Sequence, residues 1–159
     1  MKIWSIVILF ISSVTVGYGQ TTWDAPTQKL LDTPMGIVVY RSPTCGCCSK
    51  WLEHLKRHDF NVIDNVTENM QDIKDKYGVT RSLASCHTAI INGYIVEGHV
   101  PARDIKSMLK AKAVIKGLTV PGMVVGTPGM EMGVKKIPFK VLAFDKQGKM
   151  ALYKSYEQY

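Results

Sequence analysis

The spacing of apolar and polar residues changes period along the chain, and each change marks an element. Residues 35–41 (MGIVVYR) form a compact β-branched run that predicts a strand buried on both faces. After Ser42-Pro43-Thr44 the period becomes helical. Cys48, Trp51, Leu52, Leu55 and Phe60 fall on one side, and Lys50, Glu53, Lys56 and Arg57 on the other. This helix begins at the cysteines. Residues 61–66 (NVIDNV) predict a second strand. A second helix then starts at Thr67-Glu68, turns Met70, Ile73 and Tyr77 inward and stops at Gly78. Residues 88–91 and 94–97 flank Asn92-Gly93, the dipeptide that supplies the positive φ of a two-residue hairpin turn. Pro101 opens a last helix running to about Val114. The order β-α-β-α-β-β-α is the α/β, thioredoxin-like arrangement, expected over residues 35–116.

Both ends depart from this pattern. Residues 3–16 (IWSIVILFISSVTV), preceded by Lys2 and followed by Gly17 and Gly19, read as a secretory signal over 1–19, cleaved near Gly19-Gln20. The competing reading is an uncleaved anchor, although the run falls short of the about 20 residues a membrane span needs. Periplasmic export follows from the first reading. No later stretch is long or apolar enough to cross a membrane. Residues 20–34 hold a short helix capped by Thr21 or Thr22, then a linker broken at Thr33-Pro34. Residues 118–133 (LTVPGMVVGTPGMEMG) are rich in Gly, Pro and Met and predict a long loop. Residues 140–145 and 150–153, around Gln147-Gly148, predict a closing hairpin. Residues 117–159 thus form a C-terminal extension.

Charge excludes little but directs attention. The formal net charge is +7, and it belongs to the C-terminal third: residues 103–159 hold eleven basic against four acidic side chains. Nucleic-acid binding would want aromatics interleaved with those lysines and a groove-reading element, and neither is present. A solvated lysine-rich surface is the plainer account. The chain is expected to act as a monomer.

All four cysteines of the chain fall at two places, Cys45-Gly46-Cys47-Cys48 at the strand-to-helix junction and Cys86 just before the third strand. Unsatisfied N–H groups at a helix start favour thiolate, the form that attacks disulfides and binds soft metals. In a thioredoxin-like fold Cys86-His87 faces the first cysteines across one cleft, with His99 beside them. Four thiolates, one or two imidazoles and a methionine-rich loop match the ligand set that soft Cu(I) prefers. Zinc competes, but Met123, Met130 and Met132 tilt the choice toward copper, because zinc gains little from thioethers. Three thiols within four residues crowd a single ion, which suggests thiolates bridging several coppers.

The segments YRSPTCGCCSKWLEHL, LASCHTAIINGYIVEGHVP and TVPGMVVGTPGMEMG resemble the CopG-like family of periplasmic copper-resistance proteins over roughly residues 37–144. The resemblance implies a thioredoxin-like domain whose C-terminal extension contributes to metal binding. It also implies a cysteine-ligated copper cluster beside the C-x-C-C motif and interconversion of Cu(I) and Cu(II) in copper detoxification. Cys45, Cys47 and Cys48 match that motif, and Cys86 matches the cysteine of S-C-H-T. His99, Met123 and Met130 are expected as further ligands, with His87 and Met132 after them. Copper ions are then the cargo, with a periplasmic copper chaperone or efflux component as partner.

Other readings compete. Two disulfides could stiffen an exported domain. Cys45 and Cys48 could serve as nucleophile and resolving thiol of a thiol-disulfide oxidoreductase, which leaves Cys47, Cys86 and the methionines without a role. A passive copper store or chaperone would need no redox change. His54 and His58, four apart on the first helix, are expected to be solvated, and Trp51 to be core.

Overall fold

The structure, a computed structural model, describes residues 33–133 and 137–157. The expected export signal and N-terminal helix lie outside the described residues. The fold is mixed α/β, with one seven-stranded sheet and three helices among the described residues. In chain order the elements are β1 (Met35–Arg41), α1 (Gly46–Arg57), β2 (Phe60–Val66), α2 (Met70–Tyr77), β3 (His87–Ile91), β4 (Tyr94–Glu97) and α3 (Ala102–Ala111). They are followed by β5 (Gly117–Thr119), β6 (Phe139–Phe144) and β7 (Met150–Tyr156). The order from β1 to α3 is the one the sequence pattern predicts.

Across the sheet the strands run β2-β1-β3-β4-β5-β6-β7. The β1/β2 and β4/β5 pairs are parallel, and all other neighbours are antiparallel. Period-2 alternation sends Ile37 and Val39 of β1, Ala89 and Ile91 of β3, Val96 of β4, Leu118 of β5 and Val141 of β6 into one core. Trp51, Leu52 and Leu55 of α1 pack there with Ile105 and Met108 of α3. The opposite face carries a smaller cluster of Val79, Leu83, Ile95 and Phe144, with Tyr77 of α2 against it.

Several boundaries differ from expectation, each for a local reason. β1 is fully buried on one face only, with Val38 and Tyr40 half-covered, because the eight-residue α2 is too short to roof the other face. α1 stops at Arg57, and Asp59 at φ 62° turns the chain so that Phe60 opens β2 instead of ending the helix. α2 starts at Met70, three residues beyond Thr67, whose Oγ1 accepts the Asn69 N–H in a local turn. α3 ends at Ala111, with Lys112 in the left-handed region, and Pro101 is its cap instead of its first residue. The stretch expected as loop from Leu118 first completes β5, a parallel neighbour of β4. Asn92 and Gly93 take the positive φ values, 47° and 81°, that the hairpin turn demands. No helix among the described residues is long and apolar enough to cross a membrane.

Candidate metal centre

The sheet register builds the site. Arg41 at the end of β1 pairs with His87 at the start of β3, so the turn into α1 and the residue before β3 meet at one end of the sheet. Cys45 caps α1 without a side-chain hydrogen bond to the helix, and no acidic residue occupies the first turn. One ligand atom each from Cys45, Cys47, Cys48 and Cys86 lies within 4.8 Å of the others, and Cys86, His87 and His99 form a second group by the same measure. Cys86 belongs to both.

Within this cluster Cys45 and Cys48 are joined in a disulfide, and Cys47 and Cys86 are free thiols. The Cys45 and Cys47 sulfurs stand 3.5 Å apart. Cys48 is fully buried, whereas Cys45, Cys47 and Cys86 are half-buried. The Cys86 sulfur lies 3.1 Å from His99 Nε2 and 3.2 Å from His87 Nδ1. His99 Nδ1 is 2.8 Å from the carbonyl oxygen of Pro128, which can only accept, so Nδ1 carries the proton and the Nε2 lone pair faces the sulfur. His87 is enclosed, its ring centroid 4.3 Å from that of Trp51 and 4.9 Å from that of His99. Its Nε2 is buried with no hydrogen-bond partner among the described residues.

Burial sets the electrostatics. It pushes the Cys86 thiol up to about 12, reinforced by Cys47 and opposed by the Ser85 hydroxyl. It lowers His87 well below the usual imidazole range, and lowers His99 against the opposing Pro128 carbonyl. Both imidazoles are therefore neutral lone-pair donors at neutral pH.

Residues 83–130, which carry Cys86, His99 and Pro128, match the family described as "Protein of unknown function, DUF411". Two solved structures of "Copper resistance protein copG", forms 2 and 1, are each 42% identical to this chain. Form 2 aligns over 77% of this chain and 98% of its own with a TM-score of 0.73, and form 1 over 79% and 99% with 0.74. The chain belongs to the CopG-like copper-resistance family. No curated protein matches it.

In this CopG-like chain the expected methionine loop is a packed structure. Residues 126–130 are buried, held by Gly126 N–H to Met130 O and Met130 N–H to Thr127 O, both 2.8 Å. Gly129 rests on the start of α1 so closely that a Cβ would stand 2.7 Å from the Trp51 nitrogen. Met130 is buried within this loop, whereas Met123 and Met132 are 62% and 63% exposed. The structure thus brings together all four cysteines and both cleft histidines, and leaves those two methionines open to solvent.

Sequence reasoning missed what holds Cys86 in place. Glu97, fully buried at the end of β4, pairs with Lys74 of α2 and accepts from the Ser85 N–H and the Thr88 hydroxyl, each at 2.7 Å. The Ser85 hydroxyl in turn donates to the Gly122 carbonyl. The segment before β3 is clamped between the sheet and the loop. His54 and His58 correct a second expectation: both are buried, with ring centroids 4.5 Å apart, and His54 Nε2 accepts the Ala102 N–H at 3.0 Å. His54 thereby ties α1 to α3, and both rings are turned away from solvent. Trp51 is core as expected, and its indole N–H donates to the Val100 carbonyl at 2.9 Å, beside His99 in the chain.

Proposed function

We propose that this protein is an exported copper-handling protein that takes copper as cargo at Cys45, Cys47, Cys48 and Cys86, with His99 and His87 completing the donor set. The observation that carries this reading is the meeting of two ligand groups at one atom: the Cys86 sulfur, close to three other sulfurs, also faces two neutral imidazoles. Soft thiolates suit Cu(I), and imidazoles suit either oxidation state, so one site can hold copper through a change between Cu(I) and Cu(II). The buried, unpartnered Nε2 of His87 supports a polar occupant nearby, since such atoms are costly to leave unsatisfied. Met130 and the exposed Met123 and Met132 offer thioethers on the adjoining loop. Three thiols within four residues support bridging of more than one copper.

The element order and the mixed strand directions of β1 to β4 support a thioredoxin-like unit over residues 35–116, extended by residues 117–159. Residues 1–19 would serve as the export signal to the periplasm, and a copper chaperone or efflux component would be the partner.

Copper analysis and an optical spectrum on the reduced, copper-loaded protein test the proposal. More than one copper per chain with sulfur-to-copper charge-transfer bands is expected, and Cys47→Ser should abolish stoichiometric binding. A loaded protein at one copper or fewer ends the multinuclear reading, and unchanged binding in Cys47→Ser ends the cluster. The disulfide favours a second reading, a thiol-disulfide oxidoreductase in which half-buried Cys45 is attacked and fully buried Cys48 leaves. Under that reading Cys47→Ser keeps full insulin-reducing activity.

A further inference from the structure

Among the described residues the sheet ends on two open edges, β2 and β7, and the two are built differently. β7 carries features that discourage a further strand. Its register against β6 slips between Val141 and Leu142, which leaves Tyr153 with no residue opposite, and Lys154 sits at the slip. β2 has neither feature. All seven of its residues keep an unbroken register with β1, and its sequence FNVIDNV holds no lysine, proline or glycine. Its one charged residue, Asp64, is already paired: Arg41 donates from Nε and Nη2 to the two carboxylate oxygens at 2.9 and 2.8 Å. Ile63 is 55% exposed on one face of the strand, and Val66 is exposed on the other. A regular edge with its charge neutralised and apolar side chains in the open is a template for another strand.

The order of residues along β2 fits that strand to a second copy of itself. An antiparallel copy centred on Ile63 pairs all seven residues. Ile63 meets the partner's Ile63, Asn61 the partner's Asn65, Val62 the partner's Asp64, and Phe60 the partner's Val66. Both exposed apolar side chains gain an apolar neighbour, the asparagine amides face each other with a donor and an acceptor apiece, and each carboxylate falls opposite a valine. Moving the axis one residue to Asp64 would set two carboxylates directly opposite, which is unfavourable. Moving it to Val62 would leave Asn65 and Val66 outside the paired stretch.

We propose that β2 is a homodimer interface, through which two copies of this chain join edge to edge about a two-fold axis at Ile63 and form one continuous sheet. The same strand is used on both sides, so the contact closes at two copies. The pair replaces the monomer expected from the sequence. The antiparallel junction points the two metal-binding ends in opposite directions, because each lies at the Arg41 end of its own β1. No residue of the partner enters the candidate site, and the interface stands apart from the copper-binding reading.

The test is sedimentation velocity on the copper-free protein in a reducing buffer, which removes dimers bridged by metal or by an intermolecular disulfide. Across about a hundredfold range of concentration the mass should rise by mass action from one chain to two and stop there. Ile63→Lys sets two ammonium groups opposite each other and should keep the protein monomeric throughout, with an unchanged urea midpoint because the side chain is exposed. Leu152→Lys, an equally exposed position on the other edge, should leave the dimer intact. Hydrogen exchange on the unsubstituted protein reads the same contact without a variant: amides within residues 60–66 should slow as concentration rises, and those of β7 should not. A monomer at every concentration overturns the proposal, as does growth beyond two copies, which means a head-to-tail contact of β2 with β7. A dimer that survives Ile63→Lys, or exchange in residues 60–66 that ignores concentration, overturns it equally.

Discussion

Gly129 is where the loop meets the metal-binding end of α1, and replacing it with alanine measures how much that contact holds. Its φ of +84° lies in the left-handed region, where a Cβ costs about 1–2 kcal/mol. The added carbon would also stand 2.7 Å from the Trp51 nitrogen, 3.0 Å from the Cys47 carbonyl oxygen and 3.1 Å from the Trp51 Cα. All three are helix backbone and cannot swing aside. Forcing an extra carbon into such packing costs a further about 1–3 kcal/mol. Gly129→Ala should therefore destabilise by about 2–5 kcal/mol, lowering the urea midpoint by about 1–2.5 M at a slope of about 2 kcal/mol/M. Gly122→Ala separates the two costs. Gly122 lies in the same loop at φ +73° with nothing within 4 Å of its Cβ position, so only the backbone cost applies, and its midpoint falls by about 0.5–1 M. Trp51, buried beside His87, reports both transitions by fluorescence. Equal midpoints for the two variants would refute the claim that the loop is clamped on α1.

Further outcomes follow from the buried charges. Lys74→Met leaves the Glu97 carboxylate buried without its cation and should cost about 3–5 kcal/mol by urea denaturation. Adding Glu97→Gln should recover most of that loss; a double variant no more stable than the single one contradicts the pairing. Burial pulls His54 down to about 3, with His58 adding to the shift. The unfolded chain takes a proton on this imidazole near pH 6.5 and the folded chain does not. The contribution is thus full above pH 6.5 and is lost as pH falls toward 3, at up to about 1.4 kcal/mol per pH unit. His54→Gln keeps an acceptor for the Ala102 N–H but cannot titrate, so its urea midpoint should fall less between pH 6.5 and 4 than that of the parent; parallel curves would refute the assignment.

The parts of the fold legible in sequence are those whose signal is local. The VV of β1, the Asn92-Gly93 turn and the glycine stop after Tyr77 each declare themselves within a few residues. β5 does not, because three residues beside a Gly/Pro-rich loop show no period, and its partner β4 is set by tertiary packing. In the site, Cys45, Cys47, Cys48, Cys86, His87 and His99 stood out by residue type alone. Pro128 could not, since it acts through a backbone carbonyl that every residue carries. Lys74 and Glu97 carry no local signal of a partner, because each sits where polar residues are usual, and only folding brings them together. His54 was misjudged for a similar reason: its value lies in accepting a backbone N–H from α3, forty-eight residues away.

The metal-binding end is assembled from a tetrapeptide and a distant strand, and this bears on how copper would couple to folding. Cys45, Cys47 and Cys48 are neighbours even in an unfolded chain, so a denatured molecule already carries a three-thiol chelate. Only Cys86 and the two imidazoles distinguish the native protein: Cys86 and His87 arrive when β3 pairs with β1, and His99 follows beyond β4, which pairs with β3. A ligand that binds the unfolded chain stabilises the native state only by the difference between the two affinities. Copper should thus raise the unfolding midpoint by far less than its native-state affinity alone would give, and the increment that remains is supplied by the half of the site that enters with β3.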